Sequence, residues 1–137
     1  MKILADNNII LDVFLPNELF AEESRRIYEL VFSSDFEVFI CSNSLTDIYY
    51  FLKKNNGAAD AKGYIESLIE LFSIIPLSAD DCLSAVSHKM SDFEDAIIAV
   101  CAEKAGVDYI ISRDKGFLST QNIVKVITPG EFLNFFN

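Results

Sequence analysis

The chain has 137 residues, 51% hydrophobic and 23% charged, with 21 acidic against 11 basic side chains and a formal charge of −10. Length and composition exclude a disordered chain and suit one folded domain, residues 1–137, large enough to bury a core without staples. The charge excludes a general nucleic-acid coat, which needs a positive footprint, but not an enzyme that meets phosphates through bound cations and a few local basic residues. No apolar run approaches the roughly 20 residues that span a bilayer. The start, Lys2-Ile-Leu-Ala, lacks the series of a signal peptide. Cys41, Cys82 and Cys101 are widely spaced in apolar sequence, and His88 is the one histidine, so no zinc pattern exists. Buried free thiols in a reducing cytoplasm are expected.

In chain order, Lys2–Ala5 reads as a buried strand ending at Asp6-Asn7-Asn8, turn and cap chemistry. A short helix follows with Ile9, Ile10, Val13 and Phe14, stopped near Pro16. A second helix covers about Phe20–Ser33, and Glu37–Cys41, β-branched and aromatic, is the second strand. Ser42-Asn-Ser44 opens a third helix that closes at Lys53-Lys54, and Ala58–Phe72 is a fourth. Ile74–Leu77 is a third strand, whose Pro76 suggests a sheet edge or a strand end. Helices at Ala79–Lys89 and Phe93–Ala105 follow, the latter ended by Gly106. Tyr109–Ser112 and Val124–Ile127 are the fourth and fifth strands. The last helix takes Thr128 as cap, Pro129 in its first position and Glu131 for a capping box. Short apolar strands alternating with helices predict an α/β fold, a three-layer α/β/α sandwich around a parallel sheet of about five strands.

Ligands of such a sheet bind outside the carboxyl ends of the strands. Asp6 follows the first strand, Asp114 lies just past the fourth, and Asp47 is in the first turn of the helix after the second. Asp95 opens a helix that must run antiparallel to the fourth strand, so its N-terminus returns to the same rim. Four carboxylates in a small space repel one another, and a hard divalent cation with oxygen ligands removes that cost. Helix N-termini at Asn8, Asp47 and Asp95 favour phosphate groups there. The chemistry these features suit is metal-assisted phosphodiester hydrolysis. A serine or cysteine triad is excluded by the single histidine and the lack of a nucleophile elbow.

Each acid also has a plain structural explanation. Asp6 can be a cap, Asp47 can complete a capping box with Ser44, and Glu94 one with Ser91, so that Asp92 and Asp95 serve the helix dipole. Asp114 can simply shape the turn Arg113-Asp-Lys-Gly116. What favours function is the coincidence of four acids on one edge. Lys54, two helical turns beyond Asp47, and Arg113 and Lys115 beside Asp114 are candidate phosphate contacts, with solvated surface charge as the alternative.

These residues resemble the PIN-domain family, in particular the small prokaryotic PIN proteins that include VapC-type toxins. The resemblance runs from Met1 to Asn137. Its motifs stand here as Ile3-Leu-Ala-Asp6-Asn-Asn-Ile-Ile-Leu-Asp-Val13, Ser42-Asn-Ser-Leu-Thr-Asp-Ile-Tyr-Tyr-Phe-Leu52, Asp92-Phe-Glu-Asp-Ala-Ile-Ile-Ala99, and Asp108-Tyr-Ile-Ile-Ser-Arg-Asp114 with Phe117 after it. The resemblance implies catalytic acids at Asp6, Asp47, Asp95 and Asp114, with Asp6, Asp95 and Asp114 holding Mg2+ or Mn2+. Asn7, Asp92 and Ser112 take accessory places. It further implies endoribonuclease activity on single strands, homodimers, and, in toxin–antitoxin pairs, a small antitoxin that blocks the site. Two positions depart from the pattern. Asn7 stands where the family usually has Thr or Ser, and Asp47 where a longer Glu is common, so Asp6 and Asp95 are expected as the most direct ligands. The competing expectation is a non-catalytic PIN-fold module whose acidic pocket binds RNA or a basic peptide without cutting it.

Overall fold

The computed structural model describes residues 1–15, 19–90 and 92–136. The elements are β1 (Lys2–Ala5), α1 (Asn7–Phe14), α2 (Ala21–Glu29, continued by a 3-10 turn at Leu30–Phe32), β2 (Glu37–Cys41), α3 (Ser44–Asn56), α4 (Ala58–Leu71), β3 (Ser73–Ile75), α5 (Ala79–Val86), α6 (Phe93–Ala105), β4 (Tyr109–Ile111), α7 (Lys115–Leu118), β5 (Lys125–Ile127) and α8 (Pro129–Asn134). The five strands form one parallel sheet in the order β3-β2-β1-β4-β5. Strand order reverses at β1, so the crevice between the carboxyl ends of β1 and β4 is the switch point where such sheets bind ligands. β3 is an edge strand, and Pro76 stands immediately after its end, where no ladder donor is lost.

Pleat alternation divides the core into two layers. Ile3, Ala5, Ile40, Ile111 and Ile127 face one side and pack with Ile9, Ile10, Ile27, Ile48, Leu52, Leu68 and Phe132 of the helices there. Leu4, Cys41, Ile110 and Val126 face the other and meet Ala85, Ile97, Ile98, Cys101 and Phe117. The sandwich is therefore α/β/α, as its alternating pattern predicts. α6 is apolar around most of its girth because it lies under both the sheet and α5. Gly106 ends it at φ 68°, and Val107 N–H returns to the Ala102 carbonyl at 3.2 Å, which turns the chain into β4. No helix among the described residues is long and apolar enough to cross a membrane.

Several element ends differ from the sequence reading. α1 ends at Phe14, and the expected stop at Pro16 lies outside the described residues. α2 tightens into its 3-10 turn after Glu29, and α5 stops at Val86 rather than Lys89. The segment after Arg113, read as a plain turn, is a short helix, α7, with Asp114 as its N-cap. At α8, Thr128 caps the Glu131 N–H as expected, but its hydroxyl, not its backbone N–H, meets the Glu131 carboxylate.

Candidate functional site

Asp6 is the centre of the rim. It caps α1, accepting from Asn7 N–H at 2.8 Å, and its other oxygen accepts from Ser112 Oγ at 2.8 Å and Asn8 Nδ2 at 3.2 Å. Its own N–H extends the β1–β4 ladder to the Ile111 carbonyl at 3.0 Å. The carboxylate is buried, and burial raises its pKa. Ser112 and Asn7 pull against that rise, and the charge of Asp114 adds to it.

Asp114 joins from β4. It caps α7 by accepting from Gly116 N–H at 3.0 Å, and its own N–H donates to Ser112 Oγ at 3.1 Å. Ser112, fully buried, thus ties the two acids together, which gives its accessory place a physical basis. Asn8 performs a similar task from the other side, with Oδ1 accepting from Arg113 N–H at 3.2 Å.

α6 supplies the next acids. Its N-cap is Asp92, which accepts from Asp95 N–H at 3.1 Å. The expected Ser91–Glu94 capping box is therefore displaced by one residue, and Ser91 itself lies outside the described residues. The cap frees Glu94 to face α3. Burial first, then the charges of Asp92, Asp6, Asp114 and Glu94, pushes Asp95 up to about 7. Asp95 thus shares a field with Asp6 and Asp114 although it comes from a different layer. A small cleft of about 220 Å³ opens here, lined by Met90, Asp92, Asp95, Asp114, Gly116 and Thr120.

Asp47 reaches the rim from the first turn of α3. The expected Ser44–Asp47 box does not form, because Asn43 precedes the helix and makes no side-chain cap bond. Asp47 instead accepts from Asn7 Nδ2 at 3.3 Å, and the same amide donates to Glu94 Oε1 at 3.2 Å. Asn7 therefore sits between two carboxylates, and its Oδ1 is buried with no partner among the described residues. Glu94 is exposed as a residue, yet its carboxyl is the part lying against Asn7 and Asp47. Burial of that end, a hydrogen bond with Asp47 and the charges of Asp47, Asp6 and Asp92 push it up to about 7.

Glu94 is the rim acid that sequence reasoning assigned only to a cap. The signal was the burst Asp92-Phe-Glu-Asp95 itself, two of whose acids point into the site once the third caps. Asp12 was also overlooked. It is buried, and Arg113 holds it through Nε and Nη2, both at 2.6 Å, while Ser24 Oγ donates to it at 2.7 Å. Its four-residue spacing from Asn8 places both on one face of α1, the face toward β4. The Arg113 guanidinium also lies 4.1 Å over the Phe20 ring. Arg113 is accordingly committed to the scaffold, contrary to its expectation as a phosphate contact. Lys54 and Lys115 are exposed, and neither makes an ion pair among the described residues.

The donor set suits a hard divalent cation: carboxylate oxygens with an orphaned amide oxygen beside them, and acids that lift one another's pKa. Among the described residues, no three acids, thiols or imidazole are gathered closely enough to enclose an ion by themselves.

A PIN domain profile matches residues 2–116. The chain is 27% identical over 141 residues to Ribonuclease VapC1 of Aquifex aeolicus (strain VF5), covering 99% of this chain and 96% of that protein. Its fold is similar to a toxin-antitoxin complex from Klebsiella pneumoniae, with TM-score 0.69 and 23% identity over 93% of this chain and 97% of that one. It is also similar to the Mycobacterium tuberculosis VapC20 sarcin-ricin loop cleaving toxin, with TM-score 0.69 and 16% identity over 88% and 96% of the two chains. With a profile match across most of its length, the chain belongs to the PIN-domain family.

Proposed function

We propose that residues 1–137 form one PIN-like unit that hydrolyses RNA phosphodiester bonds as a Mg2+- or Mn2+-dependent endoribonuclease, the toxin of a type II toxin–antitoxin pair acting in the cytoplasm. The observation that carries this reading is the convergence of Asp6, Asp95 and Asp114, from three separate elements, on the switch point of the sheet, with Asp47 and Glu94 beside them. The ribonuclease relative supports the activity, and the toxin-antitoxin relative supports a small protein antitoxin as partner. A homodimer belongs to the same reading.

Asp6, Asp95 and Asp114 would hold the cation, with Asp47 beside them. When bound, the cation lowers the pKa of the attacking water and stabilises charge on the leaving oxygen. The chain's own residues do the positioning. Ser112 and Asn8 fix the Asp6 carboxylate, the Asp92 cap fixes the first turn of α6 and so Asp95, and Gly116 N–H fixes Asp114. Asn7 Nδ2 bridges the Asp47 and Glu94 carboxylates, donating to both.

One observation favours a non-catalytic binding module instead: the acids do not close into a cage, and an amide stands at position 7. Cleavage of a structured RNA panel with manganese, magnesium or EDTA separates the two. The nuclease cuts only with metal, and Asp6→Asn or Asp95→Asn lowers the rate by at least ~10³-fold with the fold retained. Cutting that survives both substitutions, or no calorimetric metal binding by the wild type, would remove the enzyme.

A further inference from the structure

The acidic cleft does not end at the acids. Its lining residues Met90 and Thr120 also border a second depression of about 430 Å³, completed by His88, Lys89 and Gln121. Thr120 and Gln121 in turn border a third, also of about 430 Å³, with Asn122 and Lys125 on its wall. We infer that these three adjoining depressions, which share Met90, Thr120 and Gln121, together form a channel from Asp95 and Asp114 to Lys89 and Lys125, a track that holds the substrate's RNA strand on one side of the cut. The inference rests on the nuclease reading and deepens it.

Charge inverts along the channel. The innermost cleft is lined by three aspartates, whereas the two outer depressions have no carboxylate among their lining residues and one lysine each. On a chain with formal charge −10, a carboxylate-free strip next to the acids repels a phosphate chain less than the acidic cleft itself. Lys89 and Lys125 make no ion pair among the described residues, while Arg25, Lys104 and Arg113 are all engaged with acids.

The wall at Thr120 is braced by its own hydrogen bonds. Asn122 Nδ2 donates to Thr120 Oγ1 at 2.6 Å, and that hydroxyl donates to the Phe117 carbonyl at 2.6 Å, which locks the amide. An arginine-rich peptide suits the acidic cleft but is repelled by the two lysines, so the outer depressions favour the nucleic acid.

The test measures binding of a labelled single-stranded RNA of about 12 nucleotides. Four proteins are compared: wild type and the Asp95→Asn chain, the latter also carrying either Lys89→Gln with Lys125→Gln or, as a charge-matched control, Lys53→Gln with Lys62→Gln. The track predicts that the first pair weakens binding about tenfold and flattens the salt dependence by about 1.4, the value for two phosphate contacts to a single strand. The control pair stays near the Asp95→Asn reference. Equal affinity and slope for both pairs, while the wild type still cuts RNA, would overturn the track and leave the nuclease standing. Failure of the wild type to cut or bind any RNA would overturn both. Tighter binding of an arginine-rich peptide by the first pair, with RNA affinity unchanged, would assign the depressions to a protein partner and also overturn the track.

Discussion

The two sides of the acidic rim are built on opposite principles. On the β1–β4 side the polar groups are paired: Asp6 has three donors, Ser112 serves two acids, Asn8 spans to Arg113, and Arg113 is bidentate to Asp12. On the α3–α6 side, acids face acids. Glu94 lies against Asp47 with one shared amide between them, and Asp95 lies in the field of four other carboxylates. The first side resembles a mould and the second a compressed spring. A cation bound as proposed would relieve charge mainly on the second side.

If the β1–β4 side is a mould, its anchor should carry the largest stability effect. Arg113→Ala removes two hydrogen bonds to a buried aspartate and the contact with Phe20, so it should cost about 3 kcal/mol in urea unfolding. Asp12 keeps its Ser24 bond, which holds the loss below that of a wholly stranded charge. A phosphate-binding Arg113 would show the reverse, a raised KM with stability unchanged. A loss under about 1 kcal/mol would therefore undo the assignment of Arg113 to the scaffold.

Ser112→Ala should come next. It takes a donor from Asp6 and an acceptor from the Asp114 N–H, both in a fully buried position, at about 1–2 kcal/mol, or roughly 3–8 °C in Tm. Cleavage should fall with it, because the two acids lose their common tether. A variant with unchanged Tm and unchanged cleavage would show that the backbone alone sets the spacing of Asp6 and Asp114.

The contrast between the two sides also explains what was legible in the sequence. That Asp6, Asp47, Asp95 and Asp114 share one edge was legible because strand and helix order fixes which chain ends reach the carboxyl edge, and that follows from apolar patterning. The parallel sheet was legible for the same reason, since strands such as Lys2–Ala5 and Tyr109–Ile111 are short, apolar and separated by helices. Pairings between residues far apart in the chain were not. Arg113 looks like an exposed cation until Asp12, 101 positions away, is placed under it. Glu94 looks like part of a cap until Asp92 takes the cap one residue later. Side-chain partners depend on register and on rotamer, which hydrophobic periodicity does not encode.

The spring on the α3–α6 side has its own signature in pH. Asp95 and Glu94, both lifted to about 7, hold protons in the folded chain that the unfolded chain has already released between about pH 4 and 7. Their contribution to the stability of the cation-free protein is thus fully present below about pH 4 and is lost as pH rises through about 7. Asp95→Asn removes part of that loss, so at pH 8 in EDTA the variant should melt higher than the wild type. Asp95 is half-buried and Glu94 exposed as a residue, so water screens part of the interaction, and the gain is accordingly only about 1 kcal/mol, or roughly 3–5 °C. Near pH 4, where the wild-type acid is itself neutral, the two should coincide. Magnesium should raise the wild-type Tm at pH 8 and move the variant less, because the cation relieves a repulsion the variant no longer has. Scanning calorimetry at both pH values with and without magnesium measures all of this. A wild type as stable as Asp95→Asn at pH 8 would mean that water already screens these acids from one another, and that the α3–α6 side stores no repulsion for a cation to relieve.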